Sequence, residues 1–241
     1  MCIRDRAQPE FIQWINTRIT GPDEGGDLGP EGVVFIPKAE SPNGRNMLVV
    51  SNEISGSVAL FQLDINRLND GEFALTKYAF DSLPVIGQYN GLNIREGGIS
   101  GMYYRDGNFH FVSDRGPNAA AINNPLAGGK VTLVFPFPNY APKKYTVTPN
   151  GADLDVLEVT ELKRPGGQGM TGVPLPVGFG NTGEVAWSDN NGTVTPYDIW
   201  GIDSEGLFQD KFGNWWFCDE YGSSIYKMNA NYEVVERYTP F

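Results

Sequence analysis

Histidine is nearly absent from this chain: among 241 residues there is one, His110, and there are only two cysteines, Cys2 and Cys218. A zinc site rich in imidazole is therefore excluded, and so is a phosphatase that works through a pair of histidines. Two cysteines supply neither a CxxC metal motif nor a disulfide framework, and Cys218, inside Trp215-Trp216-Phe217-Cys218, reads as a small buried core residue. Basic charge is scarce as well, with Lys+Arg 18 against Asp+Glu 29 and a formal net charge of -11. Nucleic acid and anionic membrane surfaces both demand a basic face, so neither is an expected partner. No run approaches the ~20 apolar residues that a membrane-spanning helix needs; Val131-Thr132-Leu133-Val134-Phe135 is strand-sized.

Several nucleophile and phosphate motifs are missing too. Around Ser100 the order Gly97-Gly98-Ile99-Ser100-Gly101-Met102 lacks the second glycine of a Gly-x-Ser-x-Gly elbow and leads into a strand rather than a helix. Gly128-Gly129-Lys130 lacks the upstream glycine and following Ser/Thr of a P-loop, and reads as a turn. Asp189-Asn190-Asn191-Gly192 lacks the alternating acids and distal Glu of an EF-hand, so an Asn-Gly hairpin turn is expected there.

What is present is turn chemistry and aromatic bulk. Gly 30, Pro 17 and an aromatic share of 12% describe a folded, turn-rich, mostly β chain rather than an acidic tail. Three segments share one grammar of apolar strand, turn, apolar strand and polar end. The first runs from Pro30 through Ser41-Pro42-Asn43-Gly44 to Ser51-Asn52-Glu53, the second from Gly97 through Asp106-Gly107-Asn108 to Ser113-Asp114-Arg115, and the third from Asp203 through Phe212-Gly213-Asn214 to Cys218-Asp219-Glu220. A third strand follows in the first and last units (Ser57 to Leu63, Ser224 to Met228), and a fourth, Tyr232 to Tyr238, in the last. Hairpin units that cannot bury their faces alone indicate a radial array. The fold expected is all-β, with β-propeller-like blades of four-stranded antiparallel sheets in an incomplete ring. Between the second and third units, residues 118–202 hold a strand pair, Lys144 to Thr148 and Leu154 to Leu162, within a Pro- and Gly-rich insertion.

The ends have their own character. Met1-Cys2-Ile3-Arg4-Asp5-Arg6 is no secretory signal, having neither an apolar core nor a cleavage site. It looks like a read-through scar of a fragmentary metagenomic reading frame, and residues 1–9 are expected to be a non-native tail. Thr239-Pro240-Phe241 follows a strand directly, as a truncated frame would.

Glu96-Gly97-Gly98-Ile99-Ser100-Gly101, Ser113-Asp114-Arg115-Gly116-Pro117, Phe135 to Pro142, Leu157 to Pro174, Gly201 to Gly206 and Asp219-Glu220-Tyr221-Gly222 together resemble the phytase-like domain, the esterase-like activity of phytase family. The resemblance covers roughly Tyr78 to the C-terminus, residues 78–241. Residues 10–70, with Leu28-Gly29-Pro30-Glu31-Gly32 and Ser51-Asn52-Glu53-Ile54-Ser55-Gly56, resemble the last blade of a choice-of-anchor I type propeller of bacterial surface proteins. These resemblances imply a secreted, periplasmic or cell-surface bacterial protein whose acidic residues act on phosphate esters.

The residue chemistry is compatible with that implication. Strand ends in a propeller gather at one mouth of the channel, so Asp114, Arg115, Asp203, Glu205, Asp219 and Glu220 can converge. Clustered carboxylates repel unless a cation sits among them, and Ca²⁺ takes about six to eight oxygens. Asp203, Glu205, Asp219 and Glu220 are the candidate catalytic groups, with Glu205 the candidate general base. Asp114, Asp203, Glu205 and Glu220 are candidate metal ligands, and Arg115 and Asp114 candidate substrate contacts. No organic cofactor is expected. The substrate would be a small phosphate ester. The other reading is a non-catalytic surface propeller that binds a surface ligand: Asp and Glu beside Gly commonly fix turns, and Arg115 can serve as a structural ion pair. Lysines at the mouth would favour the first reading, the candidates being Lys130, Lys143 and Lys144, and an all-acidic mouth the second.

Overall fold

The computed structural model describes residues 15–19, 25–63, 74–79, 83–121, 132–150 and 153–239. The expected tail at 1–9 and Lys130 lie outside the described residues. The strands, in chain order, are β1 (Arg18–Ile19), β2 (Gly25–Gly26), β3 (Pro30–Ile36), β4 (Asn46–Asn52), β5 (Ser57–Leu63), β6 (Ala74–Ala79), β7 (Val85–Tyr89), β8 (Leu92–Arg95), β9 (Ile99–Arg105), β10 (Asn108–Ser113), β11 (Ala119–Ala120), β12 (Thr132–Val134), β13 (Lys143–Asn150), β14 (Asp153–Glu161), β15 (Val185–Trp187), β16 (Ser204–Gln209), β17 (Trp215–Asp219), β18 (Ile225–Met228) and β19 (Val234–Tyr238). No helix occurs among the described residues.

Among the described residues, three four-stranded antiparallel sheets form three blades of a propeller-like arc that does not close into a ring. The first blade is β3-β4-β5-β6, the second β9-β10-β13-β14 and the third β16-β17-β18-β19. Turn residues set these hairpins. Asp106 and Gly107 both take positive φ, 52° and 84°, as a two-residue β9–β10 turn requires. At the β16–β17 turn, Asp210 Oδ1 accepts from the backbone N–H groups of Phe212 and Asn214, each at 2.9 Å.

The middle blade departs from the sequence expectation. The strand pair placed inside an insertion between units is β13 and β14, the outer half of the second blade, with β13 hydrogen-bonded directly to β10. The chain therefore leaves this blade after β10 and returns at β13, and leaves again after β14 to reach β16. These two excursions are joined to each other: β12 of the first pairs in parallel with β15 of the second, and β11 extends the sheet. Phe135, Val173 and Ala186 form a small core beneath it.

Adjacent blades share apolar cores. Val49 and Val58 of the first pack with Ile99, Phe109, Phe111 and Tyr145 of the second. Val112 packs with Trp215, Phe217 and Tyr226 of the third. Each interface needs a glycine. A Cβ on Gly101 of β9 would lie 2.7 Å from Gly206 Cα of β16, and one on Gly32 of β3 would lie 2.7 Å from the Ser100 carbonyl oxygen. Only glycine permits such backbone proximity. Ser51 Oγ also donates to the Ser100 carbonyl at 3.0 Å, tying the first blade to the second.

His110 occupies the second interface, its ring centroid 5.0 Å from that of Trp215. Burial, then the nearby Lys144 charge, lowers its pKa to about 4, so it packs as a neutral ring. Cys218 corrects the sequence reading. Period-two alternation turns Trp215, Phe217 and Asp219 inward and leaves Cys218 on the opposite, exposed face.

Candidate active site

The inner strand of each blade starts, and the second strand ends, at the same end of the arc. Sheet register shows which positions are equivalent. Val33 pairs with Val50, Met102 with Phe111 and Leu207 with Phe217. Counting outward from those pairs, Glu53, Asp114 and Glu220 occupy one repeated position and Glu31, Ser100 and Glu205 another. Asp219 is thus the counterpart of Asn52 and Ser113, one place out of step with the alignment that sequence grammar suggested. Strand alternation explains the difference: Asp219 points back into the blade, where its Oδ1 accepts from the N–H groups of Asp203 and Gly222, each at 3.1 Å.

A cavity of about 240 Å³ lies at this end, lined by Glu31, Glu53, Asp114, Arg115, Asn118, Asp203, Glu205, Glu220 and Tyr221. Of the residues singled out in the sequence, Asp114, Arg115, Asp203, Glu205 and Glu220 meet here, and Asp219 stands behind Asp203. Asp114, Asp203 and Glu205 each bring a carboxylate oxygen to within 4.8 Å of the others. Asp203 is buried, and its Oδ1 receives no N–H or hydroxyl donor.

Among the described residues, Arg115 is the one cation lining this cavity. Its Nη1 lies 3.0 Å from Glu184 Oε2 and its Nε 3.3 Å from Asp203 Oδ2. The guanidinium carbon stands 4.2 Å from the Tyr221 ring centroid and 5.2 Å from that of Phe135. Burial opposes its charge, but Asp203 and Glu184 outweigh that and hold its pKa above the ordinary value. Of the three candidate lysines, the two that the structure describes lie elsewhere. Lys143 pairs with Glu96. Lys144 is buried between blades, 3.1 Å from Glu158 Oε2 and 4.8 Å from the Trp215 ring centroid.

Crowding of acids at low solvation raises their pKa values. Burial, then contact with Asp203 and the Asp203 and Glu53 charges, pushes Asp114 up to about 10. Burial, with the Asp203, Glu53, Glu220 and Glu31 charges, lifts Glu205 to about 8. Glu53 is raised mainly by burial. Burial lifts Asp219 to about 6 against the two N–H groups that it accepts from. With no cation bound, the crowding pushes both Asp114 and Glu205 toward their protonated forms. A converging, oxygen-only donor set with one buried oxygen lacking a donor fits a hard divalent cation.

Glu31, Glu53, Glu184 and Tyr221 were not singled out from sequence. Glu53 and Glu31 carried a signal, since both lie in the repeat, and their equivalence to Asp114 or Glu220 and to Glu205 follows once the register is fixed. Glu184 lies in the second excursion, where no repeat or motif marks it.

The family model for phytase-like proteins, described as esterase-like activity of phytase, matches residues 94–240, more than half of the chain. The chain belongs to this family. The phytase-like match takes in the second and third blades and both excursions, and starts later than the Tyr78 suggested by resemblance. The first blade lies outside it, although Glu31 and Glu53 line the same cavity. No curated protein matches the chain. A solved structure titled luciferin-regenerating enzyme aligns over 88% of this chain and 76% of its own, at 10% identity and a TM-score of 0.27, a likeness too loose to bear on fold or function.

Proposed function

We propose that this phytase-like protein is a metal-assisted hydrolase of phosphoric esters acting outside the cytoplasm, and that the acidic cavity is its active site. The observation that carries the reading is the convergence of Asp114, Asp203 and Glu205 beside a buried Arg115. Six carboxyl groups line the cavity with one guanidinium, so an anionic ester is repelled unless cations offset them. Asp114, Asp203, Glu205 and Glu220 would hold a divalent ion such as Ca²⁺, which supplies charge neutralisation and a more acidic water.

The protein's own groups have separable roles. Glu205 lines the cavity wall, and once a bound cation offsets the neighbouring acids and releases its proton it would accept the proton of the attacking water. Arg115 carries positive charge to the cavity while its Nε and Nη1 hold Asp203 and Glu184. Asp219 acts at one remove, through the backbone N–H of Asp203. The buried oxygen of Asp203 that lacks a donor would be one of the atoms that hold the cation.

A second reading has one specific observation in its favour. Arg115 is already engaged by Glu184, Asp203 and Tyr221, and no lysine among the described residues lines the cavity. In that reading the carboxylates and a bound cation only stiffen a surface-binding propeller. The deciding experiment is hydrolysis of p-nitrophenyl phosphate and bis(p-nitrophenyl) phosphate after chelation and after calcium is restored, with Asp203→Asn and Glu205→Gln alongside. The hydrolase reading expects calcium-dependent turnover lost in both folded variants. Stabilisation by calcium without turnover would establish the binding scaffold instead.

A further inference from the structure

A second hollow adjoins the acidic cavity. It measures about 400 Å³ and shares Asp114 and Asn118 with it, so the two lie side by side with those residues between them. Their walls differ in chemistry. Among the described residues, six carboxyl groups line the first, whereas Asp114 is the one acid of the second. There it is joined by the guanidinium of Arg95, the apolar side chains of Ile94 and Pro117, and Tyr140.

Glycine backbone makes the room. A Cβ on Gly97 would meet nothing within 4 Å, so this wall position borders open space, and one on Gly116 would collide with the Tyr140 ring, which packs directly on the chain there. Gly98 takes positive φ, 68°, and its carbonyl accepts from the Asp114 N–H at 2.6 Å. That bond ties the wall of the second hollow to a residue that also reaches the acidic cavity. The two sites are thus held in one geometry by the paired ends of β9 and β10.

Size and charge together limit what can bind. The second hollow falls in the range of about 300–1,000 Å³ that small organic ligands occupy. A second phosphate placed in it would meet one exposed guanidinium, opposed by Asp114 and already donating through Nη1 to the Leu83 carbonyl at 2.9 Å. An uncharged aromatic ring would instead meet apolar carbon from Ile94, Pro117 and Tyr140, and a cation suited to its π-face in Arg95. We infer that this hollow holds the alcohol side of the ester and that the alcohol carries an aromatic ring. The inference rests on the acidic cavity being the phosphate site. Exposed Asn118 marks the divide that the ester crosses.

The test is titration calorimetry of the full 241-residue chain in millimolar calcium with benzylphosphonate and methylphosphonate, whose P–C bonds resist hydrolysis. Benzylphosphonate is expected to bind about 10- to 100-fold more tightly. Gly97→Leu fills the open space and is expected to bring that ratio close to one. Ile94→Asp, which sets a charge in the apolar wall, serves in its place if near-ultraviolet circular dichroism shows a lost fold. Equal affinities for the wild type overturn the inference, as does a ratio that the folded variants leave unchanged. Tighter binding of 3-phosphonopropionate than of benzylphosphonate overturns it too, by assigning the hollow to a second anion. Preference for the ring without turnover of p-nitrophenyl phosphate would support this subsite and sink the hydrolase reading, and turnover without that preference would do the reverse. If neither phosphonate binds, the phosphate site and this inference fall together.

Discussion

Arg115 Nη1 and Glu184 Oε2 meet at 3.0 Å with 6% and 1% of their side chains exposed, 69 residues apart in the chain. The pair fastens the end of β10 to the second excursion directly beside the acidic cavity. Removing Arg115 strands Glu184 away from water and takes the cation from Asp203 as well. Arg115→Met is therefore expected to destabilise the protein by about 3–5 kcal/mol, measured by urea unfolding, whereas Glu184→Ala, which leaves Arg115 paired with Asp203, is expected to cost less. The double variant is expected to lose less than the sum of the two single effects, and a simple sum would contradict a coupled buried pair.

The raised carboxyl groups set a pH dependence. A group whose folded pKa lies above its unfolded value adds stability at lower pH and loses it as pH rises through the folded value. Asp219, Glu205 and Asp114, raised to about 6, 8 and 10, therefore make chelator-treated protein progressively less stable from about pH 4 up to pH 10. Thermal melts across that range should show the decline, and millimolar calcium should flatten it above pH 7. A melting temperature that rises between pH 6 and 9 without metal would contradict the crowding of these acids.

Glu205→Gln separates stability from chemistry. A neutral isostere relieves repulsion from Asp203 and Glu53, so chelated protein at pH 8–9 should melt at a higher temperature than the wild type. Hydrolysis should fall by about 10²–10⁴-fold with the loss of the proton acceptor. A purely structural glutamate would give lower stability, and any activity would fall only in step with unfolding.

The glycine contact between the second and third blades is testable by one methyl group. In Gly101→Ala the new Cβ would stand 2.7 Å from Gly206 Cα and 2.9 Å from both its N and the buried Val112 Cγ1, with little room to yield. A loss of about 1–3 kcal/mol in denaturant unfolding is expected. Gly97→Ala nearby, where no atom lies within 4 Å of the added Cβ, should change stability by less than about 0.5 kcal/mol.

Sequence reading reached the blades because hairpins announce themselves through alternating apolar residues and Asx-Gly turns. It also located Asp114, Asp203, Glu205 and Glu220, which end up around one cavity, because acids recur where strands end. It stopped at facts that depend on register. The second blade looked incomplete because its outer strands follow a detour, and pairing between β10 and β13 across that distance has no local signature. Asp219 looked like a twin of Asp114, yet a one-residue step turns it onto the blade's inner side. Cys218 looked buried for the same reason in reverse. Glu184 was invisible because its partner is a single arginine far away in the chain.

The parallel pairing of β12 with β15 bears on the order in which this molecule can assemble. Each strand is only three residues long, too short to persist alone, and each belongs to a different detour from the second blade. Neither detour can settle until both of its flanking strands are in place and the other detour has arrived. The loop-closure entropy of both falls due together, late in folding. The blades would then form first as a frame, and the wall that carries Glu184 to Arg115 would close last. Until that step, Arg115 would have Asp203 but not Glu184 as its partner, and the carboxyls at the mouth would face solvent.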